Sequence, residues 1–296
     1  MSEIPTKVDV VILTKNSIEP CLRQCLLSAK KNIPINRFIV IDGGSTDKTI
    51  EVVKEIFPEA YVIYDKKGNR ATSRQKAIEI VETKWFVFLD SDVILNDNWM
   101  KHAVSLIRDD VGAVQGRIGP RAITEADEFE KAMSKLRKFY KSKHFTKPDA
   151  TEIITAGDVL IRTDLVKDIN IPNYLHIYED RYIKNWILKK NYAWIHATKE
   201  PSCIHCPPER EPNPKTSYLA GFIAKKAGYI NLKRSIIAMI TILPKIVFAL
   251  IFYPNIKMAI YQFKYQAYFS LGVFRTALLR VPIDSETFKH LHFSSA

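Results

Sequence analysis

Two aspartates, Asp90 and Asp92, close the apolar run WFVFL. At a strand end, residues i and i+2 point to the same side, so the two carboxylates converge. Converging carboxylates repel each other unless a cation sits between them, and such oxygen donors suit Mg2+ or Mn2+. A cation held there can bridge a diphosphate and stabilise the charge that develops as it leaves. A second acidic turn, Asp42-Gly43-Gly44-Ser45-Thr46-Asp47, follows another apolar run and opens a helix. Its glycines permit a tight turn and close approach of a ligand to the backbone. Asp47 suits a helix cap, which leaves Asp42 with less structural reason for its place. A third acidic pair, Glu179-Asp180, starts a later helix, where acids also complement the helix dipole.

The elements that must carry these residues alternate. Val8–Leu13, apolar but for Asp9, and Phe38–Ile41 are apolar runs, as expected of strands buried on both faces. Tyr61–Tyr64 and Trp85–Leu89 are further strands. Between them, Pro20–Asn32, a segment opened by Thr46-Asp47, and Ser73–Val81 have helical spacing. This β-α-β-α-β-α-β order predicts an α/β fold, a mostly parallel sheet with helices on both faces. In such sheets ligands bind at the carboxyl ends of the strands. Those ends carry Thr14-Lys15-Asn16, Asp42-Gly43-Gly44 and Asp90-Ser91-Asp92. Downstream, Gly112–Gly116, Ile153–Ile161 and Tyr192–His196 read as strands, and Glu125–Lys143 and Tyr178–Lys189 as helices. Five prolines between Pro201 and Pro214 predict a loop and a domain boundary there.

Of the formal net charge of +12, most lies at the C-terminal end: from Lys215 onward eleven Lys and Arg face only Asp284 and Glu286. No acid occurs between Glu211 and Asp284. Such a region attracts polyanions, and its apolar content favours a lipid surface over nucleic acid. Ile236–Tyr253 is apolar but for Thr241, Pro244 and Lys245, which is close to a membrane span in length. A Lys at mid-bilayer costs about 2.5–3.5 kcal/mol on insertion scales, which argues against a simple crossing. The Tyr, Phe, Lys and Arg mixture of Ile256–Leu279 suits a bilayer interface. The N-terminal residues lack the regions of a secretory signal, so Cys21, Cys25, Cys203 and Cys206 are expected as free thiols in a reducing, cytoplasmic setting. Zinc or a disulfide is the alternative for them.

Taken together, VDVVILTKN, VIDGGSTDKT, GNRATSRQKAIE, FLDSDV, TAGDVLIRTDLV and YEDRYIKNWI resemble the family-2 glycosyltransferases of the GT-A fold. The likeness runs from Val8 to about Ile195. Two departures are Leu13, where proline is common, and Val93, where a further aspartate is often found. The resemblance implies an inverting, metal-dependent transfer of sugar from a nucleotide-sugar donor. By it, Asp42 contacts the nucleobase with Thr14 and Asn16 nearby, and Arg74 lies along the phosphates or sugar. Asp90 faces the ribose or sugar, and Asp92 binds Mn2+ or Mg2+. Asp180 is the general base, with Glu179 beside it. His205, following the domain in a loop, is a further candidate ligand for metal or phosphate.

The expected domains are 1–212, a GT-A domain with a nucleotide-sugar half 1–116 and an acceptor half 117–212, and 213–296, a basic, aromatic-rich helical region associated with the membrane. The expected partners are a UDP- or GDP-sugar, a lipid-linked or glycan acceptor and a membrane surface, with no nucleic acid. The expected location is the cytoplasmic face of the cell membrane, peripheral or monotopic, with one span or a hairpin at 236–253 as the variant. A polyprenyl-phosphate sugar synthase is the alternative enzyme, since its anionic acceptor needs no base. A non-catalytic basic protein binding membrane or nucleic acid is the alternative from another class. The QxxRW motif of processive synthases and the glycine-rich opening of nucleotidyltransferases are both missing from the sequence.

Overall fold

A computed structural model of the chain describes residues 5–118, 129, 132, 133, 157–206 and 214–279. The chain divides into two compact units, 1–121 with 152–209, and 122–151 with 210–296. The junctions lie at 121/122, 151/152 and 209/210, so that 122–151 groups with the C-terminal segment.

The first unit is built on a seven-stranded sheet. Its strands in chain order are β1 (Val8–Thr14), β2 (Ile35–Asp42), β3 (Tyr61–Tyr64), β4 (Trp85–Asp90), β6 (Val111–Gln115), β8 (Asp158–Arg162) and β9 (Ala193–His196), with β5 (Val93–Leu95) and β7 (Arg117–Ile118) lying in a second sheet. The spatial order is β3-β2-β1-β4-β8-β6-β9. All neighbours run parallel except β8, which is antiparallel to β4 and to β6. The fold is thus mixed α/β with a mostly parallel sheet.

The apolar runs form strands because both sheet faces are covered. Val8, Val10 and Ile12 join one core with Leu22, Cys25, Leu26 and Ala29 of α1 (Leu22–Asn32) and Val53 and Ile56 of α2 (Thr49–Ile56). Val11, also fully buried, points to the opposite face. There α3 (Arg70–Ile80) buries Ala71, Ala77 and Ile78. The charge in this strand, Asp9, has no exposed surface and is held by Arg37 Nη2 at 2.6 Å, Asn36 Nδ2 at 2.9 Å and the Glu82 N–H at 2.8 Å. Such pairing is what a buried carboxylate requires.

The second sheet has three short strands in the order β5-β10-β7, with β10 (Ser202–His205) antiparallel to β5 and parallel to β7. This corrects the loop reading of Pro201–Pro214 at its start: Ser202–His205 extends because β5 and β7 offer it ladder partners on both sides. Residues 207–213 lie outside the described residues, as does most of the expected helix 125–143; of it, positions 129, 132 and 133 are helical. Two more helices complete the unit, α4 (Trp99–Ser105) and α5 (Glu179–Lys189).

The second unit contains α6 (Pro214–Lys226), α7 (Leu232–Phe252) and α8 (Ile256–Leu279). α6 and α8 approach closely because small residues face backbone. A Cβ on Gly221 would lie 1.9 Å from the Phe269 carbonyl, and one on Gly272 would lie 2.1 Å from the Tyr218 carbonyl. α7 buries Ser235, Ile242, Ile246 and Ala249 and exposes Ile236, Ile240, Leu243, Val247 and Ile251. Among the described residues it is the one helix long and apolar enough to cross a membrane.

Candidate active site

The carboxyl ends of β1, β2 and β4 are level, with Thr14 paired to Asp42 and Leu13 to Asp90. Register alone therefore brings three of the sequence motifs to one edge. Asp42 has no exposed surface. Its Oδ1 accepts from Thr14 Oγ1 at 2.9 Å and Ser45 Oγ at 2.5 Å; its Oδ2 accepts the Gly44 and Ser45 N–H groups at 2.9 and 2.8 Å. Asn16 adopts a left-handed φ of 50°, which asparagine tolerates better than most residues. Its Oδ1 accepts the Thr46 N–H at 2.8 Å, and its own N–H donates to Ser45 Oγ at 2.9 Å. Thr14, Asn16 and Asp42 are thus one tied turn, with the Asp42 carboxylate inside it.

Arg74 is placed by the start of α3. Asn69 caps that helix, accepting the Ala71 and Thr72 N–H groups at 2.8 and 3.2 Å, while Thr72 Oγ1 accepts the Asn69 N–H at 2.7 Å. A cap of this kind stabilises by about 1 kcal/mol. One turn on, Arg74 points inward, 4% exposed, over the Phe88 ring at 4.7 Å. Its Nη2 meets Asp90 Oδ1 at 3.3 Å and its Nε meets Glu179 Oε1 at 3.3 Å. Burial works against the guanidinium charge, and Asp90, Glu179 and Asp180 outweigh it and push its pKa upward. One cation thereby joins the end of β4 to the first turn of α5.

That turn is under-neutralised. Glu179 is buried, and among the described residues its Oε2 has no hydrogen-bond partner. Burial and the adjacent Glu179 push Asp180 up to about 7, against the pull of Arg74 and of the Arg181 N–H, which donates to Asp180 Oδ1 at 2.6 Å. A carboxyl so poised exchanges a proton near neutral pH.

Asp92 sits in the turn between β4 and β5, with His205 Nε2 3.4 Å from its Oδ2. The ladder explains the meeting: His205 pairs with Val93 on β5, and the Cys206 N–H donates to the Asp92 carbonyl at 2.8 Å. His205 is therefore on a strand, not in a loop as the sequence suggested. Carboxylate oxygen and imidazole nitrogen form a donor pair that Mn2+ accepts well and Mg2+ less well. Among the described residues no group of three or more His, Cys, Asp and Glu gathers as a metal set. Asp92 and His205 are the two protein donors that would hold a divalent cation here.

The four cysteines are free thiols around this turn. Cys25 Sγ donates to the Asp90 carbonyl at 3.4 Å, and Cys21 is hydrogen-bonded to Cys206. Burial, aided by Cys206, pushes Cys21 up to about 12, and burial raises Cys25 and Cys203 as well. Asp158 was not singled out from the sequence. It is 1% exposed, and burial pushes it up to about 7. Its place in the apolar strand of TAGDVLIR is the one signal the sequence holds for it, and that signal does not tell a buried acid from a solvent-facing one.

The model of glycosyl transferase family 2 matches residues 9–169. The SPbeta prophage-derived glycosyltransferase SunS of Bacillus subtilis (strain 168) is 34% identical over 92 residues, covering 31% of this chain and 21% of that protein. The chain thus matches about a fifth of the length of that curated relative. S. aureus TarS in complex with UDP-GlcNAc is similar in fold, with a TM-score of 0.52 and 20% identity over 74% of this chain and 65% of that one. The mannosyltransferase PcManGT from Pyrobaculum calidifontis, in complex with GDP-Man and Mn2+, gives 0.57 and 15% over 95% of this chain and 89% of that one.

Proposed function

The chain belongs to glycosyl transferase family 2 and is a glycosyltransferase of GT-A fold; on that premise we propose that it transfers a sugar, with inversion, from a UDP- or GDP-sugar to a hydroxyl on a lipid-linked glycan. The observation that carries this reading is the bridge Asp90–Arg74–Glu179 with Asp180 beside it. It sets a carboxyl of neutral pKa next to the turn that bears the metal-type donors Asp92 and His205.

The tied turn of Thr14, Asn16 and Asp42 forms the nucleobase end, where Asp42 holds the turn in shape. Asp92 and His205, with Asp90 adjoining, would hold Mn2+ or Mg2+, and the bound ion would supply Lewis acidity toward a diphosphate leaving group. Arg74 keeps Asp90 and Glu179 in place and adds positive charge on the side where the diphosphate leaves. The free Oε2 of Glu179 accepts a sugar hydroxyl. Asp180, once ionised, takes the proton of the attacking acceptor hydroxyl as it reaches the anomeric carbon from the opposite face. Transition-state charge then spreads over an oxocarbenium-like ring, as in glycoside hydrolysis.

A lipid-linked acceptor and a place at the cytoplasmic face of a membrane are supported by the acid-free, basic stretch from 212 to 283 and by the exposed apolar face of α7. The test is transfer by the purified full chain with UDP- and GDP-sugars and a membrane lipid extract, in Mn2+ and in chelator. Metal-dependent transfer that collapses in Asp180→Asn supports the hydroxyl acceptor. Transfer surviving that change points to a lipid-phosphate acceptor, and transfer undiminished in chelator removes the metal.

A further inference from the structure

Asp158 opens β8, the antiparallel strand between β4 and β6. It pairs with Leu89, one residue before Asp90, and the carbonyl of its neighbour Gly157 accepts the Asp90 N–H at 2.8 Å. Its strand therefore holds one side of the acidic turn.

The side chain reaches the other side. Asp158 Oδ2 accepts a long hydrogen bond, 3.4 Å, from Trp99 Nε1, and the Cys203 thiol donates to the same carboxyl. Cys203 is fully buried on β10, two residues before His205. The carboxyl fits only because Gly116 has no side chain, since a Cβ there would lie 1.8 Å from Oδ2. The remaining oxygen, Oδ1, is buried without a hydrogen-bond partner among the described residues. Weak donors on one oxygen and none on the other are poor compensation for burying a carboxyl. An apolar residue of similar size would cost less here, so the carboxyl serves something other than stability.

We propose that Asp158 is a positioning residue for the cation: its carboxyl holds β10 at Cys203 while its strand holds Asp90, and together these set where His205 stands relative to the Asp90–Asp92 turn. This rests on the reading of Asp92 and His205 as cation donors. Groups that orient ligands from behind typically change metal affinity by about 10–100-fold. The effect should therefore appear in cation binding itself, without turnover.

The experiment is Mn2+ binding to the full chain, read by the loss of the free Mn2+ electron paramagnetic resonance signal, without nucleotide sugar. Wild type is compared with His205→Ala, Asp158→Leu, Asp158→Asn and Cys203→Ala. His205→Ala should weaken binding by tenfold or more. Asp158→Leu should weaken it about tenfold while its thermal unfolding midpoint is equal to or above wild type. Asp158→Asn, which keeps an acceptor for Trp99 and Cys203, should stay within threefold of wild type, and Cys203→Ala should fall between the two. If Asp158→Leu does not fold, the Cys203→Ala and Asp158→Asn pair carries the test, and equal, wild-type affinity in both overturns the proposal. Wild-type affinity in Asp158→Leu beside a loss in His205→Ala overturns this inference alone. Wild-type affinity in His205→Ala removes the cation reading and this inference with it.

Discussion

The Asp42 turn and the Glu179-Asp180 turn are both acidic, both buried and both at the edge of the same sheet, yet they are partnered in opposite ways. Four internal donors surround the Asp42 carboxylate. Across the edge, Glu179 keeps an oxygen with no partner among the described residues and Asp180 is held up to about 7. A satisfied buried carboxylate is a fastener, because all its hydrogen-bonding capacity is spent on holding its own loop. An under-satisfied one is held at a cost that the fold must offset elsewhere, and such cost concentrates where chemistry is done. The sharpest way to break this contrast is to remove each carboxylate and ask whether rate or stability responds.

The largest effect is expected at Asp180. Asp180→Asn should lower kcat for transfer to a hydroxyl by about 10^2–10^4-fold, the usual range for a general base, with little loss of stability. In the wild type, kcat/KM should rise with pH through about 7 as Asp180 ionises. The sign for stability is opposite. A carboxyl raised in the folded state stabilises fully below its unfolded value of about 4, and that contribution fades as pH rises through about 7. Urea unfolding from pH 4 to 8 should show this loss in wild type and a smaller one in Asp180→Asn, where Asp158, also held up to about 7, still contributes. Next in size is Arg74→Leu, which strands Glu179 and Asp90 without their cation. Removing one partner of a buried pair costs about 3–5 kcal/mol, and this variant should show it in urea unfolding. Arg74→Lys keeps the charge but not the fork that reaches both carboxylates, so it should recover only part of that loss.

The sheet was legible from sequence because its chemistry is local and repetitive. Val8–Leu13, but for Asp9, and Phe38–Ile41 and Trp85–Leu89 throughout, are apolar on successive residues, as suits a strand covered on both faces, and β1, β2 and β4 sit where those runs lie. The acidic turns followed from the strand ends. What could not be read was long-range. Nothing near Arg74 announces Glu179, 105 residues away, as its partner. β10 hid among prolines because its pairing depends on strands of two and three residues, too short to leave a periodic trace. His205 was picked out by type and assigned to a loop for that reason. Asp158 went unnoticed since one acid in an apolar strand does not reveal whether it faces solvent or a glycine's empty side.

Thr14→Val makes the smallest and most discriminating change. Thr14 is 5% exposed, and its hydroxyl is one of four donors to Asp42. Valine keeps the volume and removes the donor alone, leaving the other three in place. A single hydrogen bond to a charged group is worth about 1.5–3 kcal/mol, and partial compensation by Ser45 should bring the loss toward the lower end. Because the turn loosens while Asp180 is untouched, KM for the nucleotide sugar should rise a few-fold with kcat unchanged, and the pH profile should not move. That pattern is uniform weakening of ground and transition states. If Thr14→Val instead lowered kcat and shifted the pH profile, the fastener and the reactive turn would be one coupled unit, and the contrast between them would fall.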